Sequence, residues 1–170
     1  NLHLMSQENL KWFKENKMYK DTQIFLLPNR AEKVTSDSET INELQKRFNN
    51  KTTFLRISRI TDHYRTSFEQ TIELANKLKK ENKALQFVII GVVQDNSLLS
   101  HLEGLVKNKS TVFITDDKYT INASRLIDAF DFIIGTGRGV MEASSLGKVL
   151  LTPIKQGKFP AIVEEENFQK

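Results

Sequence analysis

Cysteine is absent from this chain of 170 residues. The protein can therefore form no disulfide, no thiolate metal site and no thiol nucleophile, which fits a reducing compartment. The sequence also lacks any apolar run of about eighteen residues and shows no signal peptide, so neither a membrane-spanning helix nor export is predicted. These absences favour a cytoplasmic location, with the inner face of the membrane as the alternative for a full-length protein.

Other ligand signatures are missing as well. No basic stretch is interleaved with aromatic residues, which argues against nucleic acid as a partner. The histidines share no ligand spacing with carboxylates, so no metal site is predicted. The net charge is +4 and the pI about 9.2, but acids and bases alternate along most of the chain. This pattern is typical of a solvated surface, and the alternative is a mildly basic face toward anionic lipid or a phosphorylated substrate.

Short apolar runs that alternate with helical stretches predict the fold class. Runs that are apolar throughout are typical of parallel strands buried on both faces. We therefore predict a Rossmann-like α/β domain, a parallel sheet flanked by helices. The predicted strands are residues 52–58, 85–90, 111–115, 131–134 and 148–152, and the predicted helices are residues 67–80, 97–107, 121–129 and 138–146.

The first 28 residues are predicted to form a separate N-terminal segment, consisting of a helix and a linker. The helix would span Met5–Asn16 with Ser6 as its N-cap and Met5 packed on Leu10, and a short strand would follow at Ile24–Leu27. Residues 29–170 would then form the Rossmann-like domain. Because the chain does not begin with methionine, we expect it to be part of a longer protein.

Helix boundaries within the larger domain can be predicted from local patterns. Ile41, Leu44 and Phe48 lie at helical spacing. Ser67 and Gln70 have the spacing of a capping box, which predicts the start of the helix over residues 67–80. The polar tail from Glu164 is predicted to begin another helix.

The segment from Ile133 to Leu151 is the most informative part of the sequence. It predicts a buried strand, a glycine turn, a helix from Arg138 to Leu146 closed by Gly147, and a second strand. A helix that begins at a glycine turn directs unpaired N–H groups and a positive dipole end above the sheet. We therefore predict a diphosphate site here, formed by Gly135, Thr136, Gly137, Arg138, Gly139 and Glu142.

Two alternatives apply to this segment. The glycine spacing differs from the dinucleotide fingerprint and follows a later strand, so NAD or FAD binding is weakly supported and an ordinary strand–helix connection remains open. Arg138 and Glu142 are four residues apart, which puts both on one side of the helix. They would serve as a phosphate partner and a ribose-hydroxyl partner, or else form a surface salt bridge of little energetic weight.

Arginines at the end of the first regular strand are further candidates. Parallel α/β sheets bind ligands at the carboxyl ends of their strands. Arg59 and Arg65 could therefore reach the same ligand, and a solvated loop is the alternative. Gly91, at the end of another strand, would either let the backbone approach a ligand or form a turn.

The order of these motifs resembles a known family. The chain contains R-I-x-R-I, FVIIG, VFITDD and LIDAFDFIIG, followed by T-G-R-G-V-M-E-A-x-x-x-G-K-V-L. This order is similar to the nucleotide-sugar-binding C-terminal half of GT-B glycosyltransferases, over about Ile24 to Lys170. The resemblance is most specific at Gly135 to Gly147.

The resemblance implies roles for individual residues. Glu142 matches the glutamate that holds the ribose hydroxyls of the donor, residues 136–138 match the turn that faces the diphosphate, and Arg59 matches a basic residue at the end of the first strand. The chain departs from the pattern twice. Ile134 stands where many members have a second glutamate, and Tyr64 stands where many have a lysine, with Arg65 beside it.

The implied function is donor binding in a hexosyltransferase of the kind that builds bacterial cell-surface polysaccharides. A UDP- or GDP-sugar would be bound as substrate without a metal or other cofactor, with its base over the region from Val112 to Lys118. The acceptor (a sugar, lipid or protein) and the catalytic residues would require a second half, so the domain alone would be inactive. Peripheral membrane association of the full-length protein is a further expectation. The alternatives are a non-catalytic nucleotide- or partner-binding module of the same fold and, more weakly, a nucleotide hydrolase.

Overall fold

The structure is a computed structural model that describes residues 2–4, 6–16, 23–27, 34–82 and 84–166. The chain divides into two compact units, residues 1–32 and residues 33–170, and each is described by itself. The predicted linker beyond Leu27 and the staple residue Met5 lie outside the described residues.

The first unit contains a helix between two parallel strands. The strands are β1 (Leu2–Leu4) and β2 (Ile24–Leu26), and the helix is α1 (Gln7–Glu15). The predicted N-cap is confirmed, since the Ser6 hydroxyl accepts a hydrogen bond from the Asn9 backbone N–H at 3.1 Å. Strand β1 was not predicted, because three residues carry too little pattern to distinguish a strand from a loop.

The second unit is built on a six-stranded sheet. The strands are β3 (Thr52–Ile57), β4 (Leu85–Ile90), β5 (Thr111–Ile114), β6 (Phe132–Ile134), β7 (Val149–Thr152) and β8 (Ala161–Ile162). Their order in the sheet is β5-β4-β3-β6-β7-β8. Strands β3 to β7 run parallel, as predicted, and β8 pairs antiparallel with β7. Strand β8 was not predicted, since two residues show no periodicity.

Helices cover both faces of this sheet. The α-helices are α2 (Ser38–Arg47), α3 (Arg65–Glu81), α4 (Asn96–Leu105), α5 (Asp117–Thr120) and α6 (Arg138–Ser145). Two 3₁₀ segments, Asp62–Tyr64 and Ala123–Ala129, complete the unit. No helix in the described ranges has the length and apolarity needed to cross a membrane.

Apolar residues on alternating sides of the strands form a core on each face. On one face, Phe68 of α3 and Leu102 of α4 are fully buried in one cluster with Ile89 of β4. On the other face, Leu44 of α2 and Ala143 of α6 pack in one cluster with β3, β4 and β6. This doubly wound α/β arrangement is the Rossmann-like fold predicted from the strand and helix periodicities.

Two predicted helix starts are wrong. Helix α3 begins at Arg65, and Ser67 and Gln70 form no capping box: the Ser67 hydroxyl donates to the Tyr64 carbonyl at 2.8 Å, and the Gln70 amide donates to the Ile154 carbonyl at 2.8 Å. Residues 121–129 do not form an α-helix, because Asn122 takes a left-handed conformation at φ +56° and separates α5 from a 3₁₀ segment. Local pattern did not reveal these competing tertiary and turn contacts.

One other predicted segment can be compared with the structure. In the polar tail, residues 165–166 form a turn, and the rest of the predicted C-terminal helix lies outside the described residues.

Candidate ligand site at the carboxyl edge of the sheet

The topology creates a crevice between β3 and β6. Chain connections leave these neighbouring strands toward opposite sides of the sheet: β4 and β5 lie beyond β3, and β7 lies beyond β6. Open α/β sheets bind ligands at such a switch point, outside the carboxyl ends of the strands. A cavity of about 380 Å³ opens here, lined by Ile57 at the end of β3 and by Ile134 and Gly135 at the end of β6.

The amino end of α6 faces this cavity. Gly137 occupies the N-cap position with φ +61° and ψ −135°, and no side chain caps the helix. The backbone at Gly137 therefore turns sharply, and the N-cap position has no side chain that could accept from the first-turn N–H groups. Thr136, Arg138 and Gly139 line the cavity beside this helix end. The arrangement is suited to an anion, because N–H groups and the positive end of the helix dipole point to one place.

The carboxyl end of α6 is closed as predicted. Gly147 has φ +68°, its N–H donates to the Ser144 carbonyl at 3.0 Å, and the Lys148 N–H donates to the Ala143 carbonyl at 3.1 Å. These paired bonds form a Schellman motif, which satisfies the last carbonyl groups and lets the chain enter β7 directly.

Arg138 and Glu142 meet on the cavity side of α6. Arg138 Nε lies 2.7 Å from Glu142 Oε1, and the side chain of Glu142 is only 7% exposed, while that of Arg138 is 57% exposed. The pair is therefore not an ordinary surface salt bridge, because the carboxylate is removed from water. Both residues line the cavity, so a ligand there meets a buried acceptor next to a cation held in place by it.

The region predicted to contact the base does not line the cavity. Besides the ends of β3 and β6, the glycine turn and α6, the lining residues are Thr120, Asn122, Ala123 and Ser124, and none of residues 112–118 is among them. The reason is the left-handed turn at Asn122, which carries the start of the 3₁₀ segment toward α6. Asn122 and Ser124 add polar groups to this wall, and sequence pattern did not identify them because Asn and Ser are common in turns.

Arg59 and Arg65 do not line this cavity. Arg59 is exposed after the end of β3. Arg65 Nε lies 2.7 Å from Asp62 Oδ1, which raises the pKa of the arginine. The structure therefore brings Gly135 to Gly139 and Glu142 together and leaves the two arginines outside the cavity.

Gly91 allows a close approach between two strands, and its approach to a ligand stays a prediction. A Cβ atom at this position would lie 1.8 Å from the backbone oxygen of Ser58. The close approach is thus between the ends of β3 and β4, whose backbones are joined by a 3.1 Å hydrogen bond from the Ser58 N–H to the Ile90 carbonyl. Gly91 shapes the edge of the sheet on which the crevice depends.

Arg56 is a residue that sequence reasoning overlooked. It is the last residue but one of strand β3 and is only 3% exposed. Burial lowers its pKa to about 10, so the guanidinium remains charged at neutral pH. The sequence did contain a signal for it, a single arginine in a strand whose other residues are apolar or carry a hydroxyl. Charged residues are almost never fully buried without a partner, so an arginine at such a position is unusual.

Within the described ranges, no group of three or more histidine, aspartate or glutamate side chains could hold a metal ion.

The backbone at Gly137 supplies a stability test. We expect Gly137→Ala to lower the free energy of unfolding by about 1 kcal/mol, because an L-residue is strained at positive φ. The matched control is Gly139→Ala two residues later: a Cβ meets nothing within 4 Å at either position, and only Gly137 has a positive φ. Urea unfolding measures both, and equal stabilities of the two variants would contradict the strained turn.

Comparisons with known proteins agree with the fold. No protein-family model matches the sequence, and no curated protein matches it. Solved structures do match. The chain aligns with S. aureus TarM, solved with fondaparinux, alpha-GlcNAc-glycerol and UDP, at a TM-score of 0.65 and 17% identity over 91% of this chain and 30% of the TarM chain. It aligns with the pneumococcal O-GlcNAc transferase GtfA, solved with UDP and GlcNAc, at a TM-score of 0.60 and 16% identity over 97% of this chain and 34% of the GtfA chain.

A third match is itself a C-terminal domain. The group 1 glycosyl transferase LpcC from Francisella tularensis, solved as that domain alone, aligns at a TM-score of 0.51 and 19% identity over 69% of this chain and 66% of the domain. The chain spans about a third of the length of TarM and GtfA. At these identities the likeness establishes the fold and leaves the activity to be argued from the site.

Proposed function

Since the chain has the fold of one half of the GT-B glycosyltransferases, we propose that it is the donor-binding domain of such an enzyme. Its ligand would be a nucleoside diphosphate sugar, UDP- or GDP-linked. The observation that carries the proposal is the switch-point cavity, in which the uncapped amino end of α6 and the buried carboxylate of Glu142 face the same space.

The proposed complex uses each part of the cavity for a different part of the donor. The diphosphate lies on the first-turn N–H groups of α6, next to Arg138. The ribose hydroxyls donate hydrogen bonds to Glu142. Because this carboxylate is buried, losing such a hydrogen bond without a replacement would cost binding free energy. The base lies toward the wall at residues 120–124, which is where the cavity continues. Known structures of this fold support the ligand class, because TarM and GtfA were both solved with UDP.

Transfer would depend on stabilising the leaving group. When the bond from sugar to phosphate breaks, negative charge increases on the departing diphosphate. The helix N–H groups and Arg138 would interact more strongly with this charge in the transition state than in the ground state, which is the condition for rate acceleration. No metal is needed for that role. Arg59, exposed after β3, would contribute only if the bound diphosphate extends beyond the cavity.

The acceptor and the catalytic residues are proposed to belong to a second α/β domain. The parallel pair β1–β2 with its connecting helix α1 is the repeating unit of α/β sheets, which supports its assignment to such a domain. Trp12 and Phe25 of this unit are 50% and 40% exposed, which fits further packing against other chain segments. The isolated chain is accordingly expected to bind donor nucleotide and to catalyse no transfer.

Calorimetric titration with UDP, GDP, ADP and NAD tests the proposal. We expect UDP or GDP to bind, and Glu142→Gln and Arg138→Ala each to weaken that binding by about 1–3 kcal/mol, the scale of a lost hydrogen bond to a charged group. Glu103→Gln, an exposed carboxylate on α4, is the matched control and should bind like the wild type. A folded chain that binds no nucleoside diphosphate, or binds one with no effect of Glu142→Gln, would contradict the donor site.

A further inference from the structure

A second cavity adjoins the switch-point cavity, and Thr136 lines both. It has a volume of about 380 Å³ and lies between the first turn of α3 and the loop after β7. Its lining includes His63, Tyr64, Ser67 and Lys155. A ligand whose diphosphate lies on α6 can therefore extend past Thr136 into this space.

The second cavity is suited to negative charge. Lys155 and His63 are exposed at its rim, and no aspartate or glutamate is among its lining residues. Helix α3, 17 residues long, directs its amino end here, and its N-cap residue Tyr64 makes no side-chain capping bond. A cation and a positive helix end thus face the same space. Asp62, which precedes this helix, is paired with Arg65 and does not line the cavity.

Arg56 adds a buried charge behind this cavity. Its Nη2 donates to the Ser67 hydroxyl at 2.6 Å, and its guanidinium carbon lies 4.6 Å from the centre of the Phe68 ring, so the group lies beneath the first turn of α3. Nε and Nη1 are buried and have no hydrogen-bond partner in the described part of the chain. No ion pair joins Arg56 to a carboxylate there either.

An unpaired buried guanidinium is costly in the free protein. Its position against Ser67, which lines the cavity, lets its charge act on a ligand through a single side chain at low local dielectric. A bound anion would offset the cost of burial, whereas a neutral ligand would leave it in place.

We propose that the second cavity receives the sugar of the donor and that this sugar carries a carboxylate, as in a hexuronic acid. The inference rests on the proposed function, since it assumes that the diphosphate lies on α6. The carboxylate would accept hydrogen bonds from the N–H groups at the start of α3, with Lys155 beside it and Arg56 behind it. Ser67 would not donate to it, because its hydroxyl already donates to the Tyr64 carbonyl while accepting from Arg56.

The test compares donors that differ only in this group. UDP-glucuronate is titrated against UDP-glucose and UDP, and GDP-mannuronate against GDP-mannose and GDP, by calorimetry on the 170-residue chain. We expect the uronate of the preferred base to bind about tenfold more tightly than the neutral sugar. Arg56→Met should reduce this ratio to nearly one, and Lys155→Gln should reduce it about threefold, while the affinity for the free nucleoside diphosphate stays unchanged.

Lys80→Gln, an exposed position in the last turn of the same helix α3, is the matched control and should keep the full ratio. The melting temperature of Arg56→Met should equal or exceed that of the wild type, because the variant removes an unpaired buried charge. If Arg56→Met fails to fold, Lys155→Gln carries the test alone.

The outcomes separate the two proposals. Binding of UDP or GDP with equal affinity for uronate and neutral sugar overturns the carboxylate site and leaves the donor domain standing. A uronate preference that survives both Arg56→Met and Lys155→Gln also overturns it. Failure of every nucleoside diphosphate to bind overturns the proposed function and this inference together.

Discussion

Alanine at position 91 should lower the free energy of unfolding by about 3 kcal/mol, the upper range for a group forced into a packed site. The added Cβ would lie 1.8 Å from the backbone oxygen and 2.8 Å from the backbone carbon of Ser58. A side chain could rotate away from such a contact, but a strand backbone cannot. The ends of β3 and β4 would have to separate, which would break the hydrogen bond from the Ser58 N–H to the Ile90 carbonyl.

Gly104→Ala is the matched control for this result. Gly104 is an exposed residue of α4, and a Cβ there would meet nothing within 4 Å. Alanine is a better helix former than glycine, so this variant should gain roughly 0.5–1 kcal/mol. Urea unfolding should therefore give a lower free energy of unfolding for Gly91→Ala and a higher one for Gly104→Ala than for the wild type. A Gly91→Ala variant as stable as the wild type would mean that the two strands do not approach each other so closely.

Asn76→Ala is the second variant expected to have a large effect. Asn76 lies on α3 and is 6% exposed. Its amide donates to the Leu105 carbonyl at 2.8 Å, and its side-chain oxygen accepts from the Lys107 N–H at 2.8 Å and from the Ser110 hydroxyl at 2.7 Å. The side chain thus ties α3 to the connection between α4 and β5. Truncation leaves these buried groups without partners, and we expect a loss of about 2–3 kcal/mol.

Two comparisons make the Asn76 result specific. Ser110→Ala removes one of the three bonds and should cost about 1 kcal/mol. Lys80→Ala changes an exposed position of the same helix and should remain within about 0.5 kcal/mol of the wild type. If Asn76→Ala were no more destabilising than Lys80→Ala, water would have to replace the lost bonds, and the connection after α4 would be more open than it is here.

Much of the fold could be predicted because its signals are local. The five parallel strands are apolar runs, and the helices between them have apolar residues at helical spacing, so the class of the fold follows from periodicity alone. The α6 segment could also be predicted in detail. The glycine turn, the closing Gly147 and the i, i+4 relation of Arg138 and Glu142 are all properties of consecutive residues.

The missed features depend on contacts between distant residues. Helix α3 starts two residues before Ser67, and no capping box forms there because the Gln70 side chain bonds to the loop after β7 rather than to its own helix end. Arg65 pairs with Asp62 instead of facing the crevice. The left-handed Asn122 puts residues 120–124 opposite α6. Spacing along the chain contains no information on which of these partners is nearest in space.

The sequence alone thus determined the five parallel strands and the glycine turn that begins α6, because backbone geometry repeats over a few residues. Only the tertiary structure decided that Glu142 is buried while its partner Arg138 is exposed. It also decided that Arg56 lies under α3, next to a cavity whose lining contains no carboxylate. Burial and the surrounding charge depend on which elements pack together, and these two quantities set what the site can bind.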